Sequence, residues 1–324
     1  MHIPKIFQLT PPSLFAIHHS FSEIAPFYDA FILDQFGVLH NGHVALDGAV
    51  ECVHELKRRD KRLIILSNTS GPAAMAMAKL PQYGFDPTHF IGAVTSGEES
   101  SKYIRSVYGN DSKSPSKKAV WLTWDGNGNM PAPLDYLKQC GNVQPARTIE
   151  EADFVLCHGA HVWYRSMNDQ VSLGSFLSAG KLDVVMPILE ECRKRDLPMI
   201  CANPDFVVRL PDGSTGYMPG TIAQAYSDMG GQIKALGKPH PEQFEACLKY
   251  LGLDPARVCH VGDSLHHDIA GANAANIASV LVTSGIHCEE LGTEFGQLPD
   301  ESSLRTFFER EQTTPTHVIS AFRF

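Results

Sequence analysis

No stretch of about 18 uncharged apolar residues occurs anywhere in the 324-residue chain, so no membrane-spanning helix is expected. Cationic charge is also in short supply. The 27 Lys and Arg side chains stand against 36 Asp and Glu, a formal charge of −9, which argues against nucleic acid or a membrane surface as the main partner. There are 8 cysteines but no C-x-x-C pair, so zinc-ribbon and thioredoxin-like spacings are absent and reduced, mostly buried thiols are expected. The N-terminal segment has one lysine and no sustained apolar run ahead of Pro11-Pro12. It does not read as a secretory signal, and a cytoplasmic location is the expectation. Gly126-x-Gly128 lacks the third glycine and the strand-to-helix setting of a dinucleotide fingerprint, so no nicotinamide cofactor is expected. What remains, 43% hydrophobic and 19% charged residues, can bury a substantial core. The length suggests roughly two domains of about 150 residues.

Apolar runs alternate with helical periodicity. Phe31–Leu33 and Leu63–Leu66 read as strands around a helix over 47–60, with Asp47 as its N-cap. The cluster Lys57, Arg58, Arg59, Lys61 and Arg62 falls where that helix ends, a solvated position that suits cations. Pro72 opens a further helix to Leu80, and Ser96-Gly97-Glu98-Glu99 reads as a capping box for a helix ending near Gly109. The Ser- and Lys-rich run 110–118 is a linker by composition. Residues 119–202 then give a fresh α/β set, with strands at 119–122, 154–157 and 199–202. From Pro219 the first pattern resumes: a helix, a strand at 233–236, a helix from Pro241 stopped by Gly252, and strands at 258–261 and 279–282. The expected fold is α/β, one domain with a largely parallel sheet interrupted by a second, inserted α/β domain. The boundaries read as 1–109 and 203–324 for the split domain and 110–202 for the insert.

Four apolar runs lead into a polar residue at or just beyond their carboxyl ends: Asp34, Ser67, Lys238 and Asp263. Ligands bind at that edge of an open parallel sheet, so the four are expected to converge although more than 200 residues separate the first from the last. A carboxylate can attack phosphorus, a hydroxyl and an ammonium can hold phosphoryl oxygens, and a second carboxylate can share Mg²⁺ with the first.

In order, Phe31-Ile-Leu-Asp34-Gln-Phe-Gly37-Val, Leu63-Ile-Ile-Leu-Ser67-Asn68, Gly237-Lys238-Pro and His260-Val-Gly-Asp263-Ser264 with Asp268 resemble the four motifs of the haloacid dehalogenase (HAD) superfamily of phosphotransferases. The insertion between the second and third motifs, with Thr95-Ser96-Gly97-Glu98 before it and Asn203-Pro204-Asp205 after it, looks like the class IIA branch. That resemblance implies a Rossmann-like core under an α/β cap. It implies a Mg²⁺-dependent phosphatase of small phosphorylated metabolites, with Asp34 as the nucleophile that becomes aspartyl-phosphate. Asp34, Asp263 and the backbone carbonyl of Phe36 would be metal ligands, with Asp268 a supporting or additional one. Ser67 and Lys238 would bind the phosphoryl group, and Asn68 would position phosphate or substrate. Cap surfaces of the family can mediate homodimers, although nothing in the sequence asserts one.

The sequence departs from the family at Phe36, where most of its phosphatases have a second Asp serving as general acid and base. Such catalysis is typically worth about 10²- to 10⁴-fold, so aryl and acyl leaving groups, which need no proton, should suffer least. His40 is a candidate replacement; an ordinary loop histidine is the competing reading. His266 and His267 are expected at the exposed start of a helix. The segments Trp121–Asn129 and His158–Trp163 are candidates for substrate selection, with packing an equal alternative for each tryptophan. A phosphotransferase that hands the group to another acceptor, or a low-turnover phosphate sensor, are the competing functions.

Overall fold

The computed structural model describes residues 15–109, 115–126, 133–210 and 214–324. The N-terminal signal reading, residues 110–114 of the expected linker, and Gly128 lie outside the described residues.

Seven parallel strands form the first sheet, in the order Ala16–Ile17, His317–Ile319, Ala278–Val282, Val258–Gly262, Ala30–Leu33, Arg62–Ser67 and Phe90–Thr95. Side chains alternate across its two faces. Phe31, Leu33, Leu63, Ile65, Cys259 and Val261 pack with Val53 and Leu56 of helix Ala49–Arg58 on one face. Ile32, Ile64, Leu66 and Val258 pack on the other with Phe244, Cys247 and Leu251 of helix Pro241–Leu251. Each such side chain stabilises the fold by about 1.5–3 kcal/mol when fully buried, which is why these strands read as unbroken apolar runs.

Two helix starts differ from the expectation. Helix Ala49–Arg58 is preceded by Gly48 at φ +80, with no side-chain cap from Asp47. Helix Ser96–Ile104 is capped by Thr95, whose Oγ1 accepts from Glu98 N at 3.3 Å. The Glu98 carboxylate turns to Ala73 N, and Ser96 is released to donate to Asn68 Oδ1 at 3.0 Å.

The second sheet is mixed, in the order Ile233–Ala235, Met199–Cys201, Phe154–Cys157, Lys117–Thr123, Val162–Ser166 and Asp169–Ser172, with Val143–Pro145 also paired to Lys117–Thr123. It takes residues from well beyond 202, where the sequence pattern ended the insert. Ile233–Ala235 pairs with Met199–Cys201, and helix Pro219–Asp228 buries Ile222, Ala223 and Tyr226 against Val155, Met199 and Cys201. The chain thus re-enters the first unit near Gly237, not at 203. A short apolar strand carries no mark of which sheet it joins, and only the partner strand decides. Between the two lies an antiparallel hairpin, Val207–Arg209 with Thr215–Tyr217, that the sequence pattern did not suggest. Trp121 and Trp163 are packing residues, buried in the two clusters around this sheet. No helix among the described residues is long and apolar enough to cross a membrane.

Candidate active site

Asp34 lies one residue beyond Ala30–Leu33, and its backbone N donates to Val261 O at 2.9 Å, which extends the pairing with Val258–Gly262 to the sheet edge. Asp263 follows that neighbouring strand directly, and Ser67 ends the strand on the other side. Three of the four expected residues therefore share one carboxyl edge of the first sheet. Lys238 arrives differently. Its preceding strand, Ile233–Ala235, belongs to the second sheet, so the lysine enters on the crossing segment between the two units.

Asp34, Phe36, Ser67, Asn68, Lys238, Asp263 and Asp268 line one cavity of about 280 Å³. The Lys238 ammonium is buried between two carboxylates, 2.6 Å from Asp34 Oδ1 and 2.7 Å from Asp268 Oδ1. Asp268 is fully engaged: Oδ1 also meets His260 Nε2 at 2.7 Å, and Oδ2 accepts from Ser264 N at 3.1 Å. Asp263 Oδ2 accepts from Ile286 N at 2.8 Å. Among the described residues, Asp34 Oδ2 and Asp263 Oδ1 take no protein hydrogen bond.

Burial dominates the electrostatics. Desolvation pushes Asp34 up to about 7 despite the adjacent Lys238, and it raises Asp263 well above the usual carboxylate range, with Asp34 and Asp268 adding repulsion. For Asp268 burial acts in the same sense, but Lys238 and His260 outweigh it and hold the carboxyl below its ordinary value. The ammonium of Lys238 is likewise raised by Asp268 and Asp34 against the cost of burial. Two buried carboxylates that repel each other and keep free oxygens are a fit for a hard cation. Ligand oxygens of Asp34, Asp263 and Asp268 lie within 4.8 Å of one another, and an all-oxygen set suits Mg²⁺.

Gly37 allows this approach. It has φ +81, and a Cβ there would sit 2.0 Å from Asp263 Oδ2. Asn68 does not face an open position: Nδ2 donates to Asp205 Oδ1 and Lys238 O, while Oδ1 accepts from Lys238 N and Ser96 Oγ. All of its hydrogen-bonding capacity is used inside the protein. His267 is buried, not at an exposed helix start, with Nδ1 3.2 Å from Lys238 O; His266 is exposed as expected. His40 stacks on Tyr83 with ring centroids 4.0 Å apart, and its Nδ1 accepts from Gly42 N. Burial and Lys79 push its imidazole down to about 4, so it is neutral.

Sequence reasoning assigned no contact role to Asp205 or to the hairpin residues Val207, Val208 and Leu210, all of which line the cavity. Asp205 was visible only as part of Asn203-Pro204-Asp205, and the hairpin gave no periodic signal. The second unit also touches the loop after Ser67. Trp124 Nε1 donates to Ser70 Oγ at 2.9 Å, and His158 Nε2 lies 3.1 Å from Ser70 O.

An all-parallel sheet with acidic residues and a lysine at its carboxyl edge, and a second α/β unit inserted over that edge, defines a hydrolase fold of the haloacid dehalogenase kind. The sequence comparisons agree. The haloacid dehalogenase-like hydrolase profile matches residues 31–127, and the HAD-hydrolase-like profile matches residues 235–305. The 4-nitrophenylphosphatase of Schizosaccharomyces pombe is 25% identical over 285 residues, 83% of this chain and 88% of that protein. The glycerol-3-phosphate phosphatase of Gallus gallus is 26% identical, covering 80% of each chain. Among solved structures, a haloacid dehalogenase-like hydrolase from Brucella suis superposes with a TM-score of 0.70 at 22% identity, over 93% of this chain and 98% of that one. The chain belongs to the haloacid dehalogenase-like hydrolase superfamily.

Proposed function

We propose that the protein is a class IIA, Mg²⁺-dependent phosphatase of small phosphorylated metabolites that works through an aspartyl-phosphate on Asp34. The observation that carries this reading is the buried contact of Asp34 with Lys238 beside Asp263, in a cavity that Ser67 also lines. One carboxylate oxygen of Asp34 attacks phosphorus while the other would remain for the metal, the phosphorus–oxygen bond to the leaving group breaks, and that oxygen departs with the electron pair. Water then attacks the phosphoryl group and regenerates the Asp34 carboxylate. Lys238 and Ser67 hold the phosphoryl oxygens, and Lys238 offsets the repulsion between an anionic nucleophile and an anionic substrate. Asp268 and His260 keep that ammonium charged and in place. Asp34, Asp263 and the Phe36 carbonyl would hold Mg²⁺, which supplies positive charge to the phosphoryl group when bound. Named phosphatases among the relatives support the reaction class.

Phe36 supports a second reading of the same chemistry. With no carboxyl group there to activate water, the aspartyl-phosphate persists or passes to another acceptor. Purified protein with Mg²⁺ and 4-nitrophenyl phosphate is expected to release nitrophenol, and Asp34→Asn to abolish this release. Unchanged turnover in Asp34→Asn would overturn the nucleophile assignment. Rapid quench followed by mass analysis of Asp34 separates fast hydrolysis from a persistent phospho-enzyme.

A further inference from the structure

A second cavity, of about 310 Å³, adjoins the first. Phe36, Ser67, Asp205 and Val208 line both, so the two spaces share a border at the residue proposed to hold the phosphoryl group. The rest of the second space is unlike the first. Its walls include the rings of Tyr83, Trp124 and His40 with the thioethers of Met75 and Met218, and the cation among its lining residues is Lys79.

Three constraints fix how these walls can be used. Tyr83 and His40 are stacked on one another, and Phe36 stands edge to face against His40 at 6.2 Å, which gives an aromatic corner. Trp124 is held by its Nε1 bond to Ser70, so its ring is fixed relative to the loop that carries Ser67. Lys79 lies in the last turn of helix Ala73–Lys79, half-buried, and burial holds its ammonium below the ordinary lysine range. The neutral His40 brings no second positive charge, and among the described lining residues the carboxylate, Asp205, sits at the border with the first cavity and accepts from Asn68 Nδ2, so Lys79 is the cation that an anion in this space meets. Flat rings favour a planar, conjugated body, and a half-buried ammonium favours a carboxylate or similar anion.

On the basis of the phosphatase reading above, we propose that this recess receives the leaving group. The substrate would be an aryl or other conjugated phosphate bearing a second anionic group, its ring against Phe36, Tyr83 and Trp124 and that anion on Lys79. The chemistry at Phe36 points the same way. A leaving oxygen attached to a conjugated system departs as a stabilised anion, without the proton that a carboxylic acid at position 36 would have supplied. A volume of about 310 Å³ suits a one-ring body.

The test compares phenyl phosphate, 3- and 4-carboxyphenyl phosphate, and propyl phosphate on wild-type protein with Mg²⁺. The phenolic oxygens of the aryl substrates are of similar acidity, so the comparison isolates the carboxylate. At least one carboxylated substrate is expected to exceed phenyl phosphate about tenfold in kcat/KM, and propyl phosphate to be the poorest. Lys79→Met should bring the carboxylated-to-plain ratio close to one, and Lys79→Arg should preserve it. Calorimetric Kd values for the same phosphates on Asp34→Asn protein give the ratio without turnover. A ratio near one in wild type, or one that Lys79→Met leaves unchanged, overturns the inference. No hydrolysis of any of these phosphates by wild-type protein overturns instead the phosphatase reading on which it rests, and hydrolysis that survives Asp34→Asn overturns the nucleophile assignment.

Discussion

The side-chain amide of Asn68 clasps the backbone of Lys238 from both sides, accepting from its N at 2.8 Å and donating to its O at 3.2 Å across 170 residues of sequence. One carboxamide thereby fixes where the crossing segment lies against the first sheet. Gly237 permits the approach, since a Cβ there, at φ +134, would fall 2.6 Å from Asn68 Oδ1.

Asn68→Ala is therefore expected to lower kcat by about ten- to a hundredfold while the chain stays folded, because a shift of about 1 Å in a positioning group costs on that order. Steady-state kinetics beside a thermal melt check it. A loss confined to KM would return Asn68 to direct substrate contact.

Lys238→Met leaves Asp34 and Asp268 facing each other in a buried space. Breaking a buried ion pair from one side costs about 3–5 kcal/mol, so denaturant unfolding of the metal-free variant should show a loss of that order along with loss of activity. Full stability with lost activity would mean the carboxylates relax into solvent.

Phe36→Asp places a carboxyl group on the border between the two cavities, where the proposed leaving oxygen would lie. Turnover of propyl phosphate should rise at least tenfold relative to phenyl phosphate, within the roughly 10²- to 10⁴-fold range of general acid–base catalysis. No change in that ratio would show that an aspartate at 36 does not reach the leaving oxygen.

In the metal-free protein Asp34 is raised from 3.8 to about 7. A carboxyl group with a raised folded pKa binds its proton more tightly when folded, so its contribution favours the fold below about 3.8 and is lost as pH rises toward 7. Asp263 is shifted in the same direction. Added Mg²⁺ should accordingly raise the Tm more at about pH 8, with the pair ionised, than at about pH 5.5. Equal shifts at both pH values would separate the cation from these carboxylates.

Much of the site is readable in the sequence. Asp34 and Ser67 each close an unbroken apolar run, and Asp263 closes one broken only by His260; a strand buried on both faces leaves that signature whatever lies around it. Lys238 was readable as a site residue but not by its route, since Ile233–Ala235 looks like any short strand and only its pairing with Met199–Cys201 places it in the second sheet. The same ambiguity set the exit of the insert at 202. Asn68 was placed by the family resemblance and His267 by its position at an expected helix start. Their actual partners, Lys238 and Asp205, depend on which segments meet in space, and spacing along one chain does not encode that. Thr95 and Ser96 are both competent caps, and the choice between them fell to Asn68, which claims the Ser96 hydroxyl.

Strand Ala30–Leu33 lies between Arg62–Ser67 and Val258–Gly262, and this order has a consequence for biosynthesis. More than 200 residues separate Asp34 from Asp263, which at translation rates of roughly 5–20 residues per second is a delay of about 10–50 s. In that interval the strands from Lys117 to Ala235, contiguous in the chain, can complete their own sheet, while the apolar edge of Ala30–Leu33 stays unpaired on one side. A nascent or truncated chain that stops before Val258 thus carries Asp34, the proposed nucleophile, without Asp263 beside it. Such a chain is expected to lack phosphatase activity and leaves an apolar strand edge unpaired.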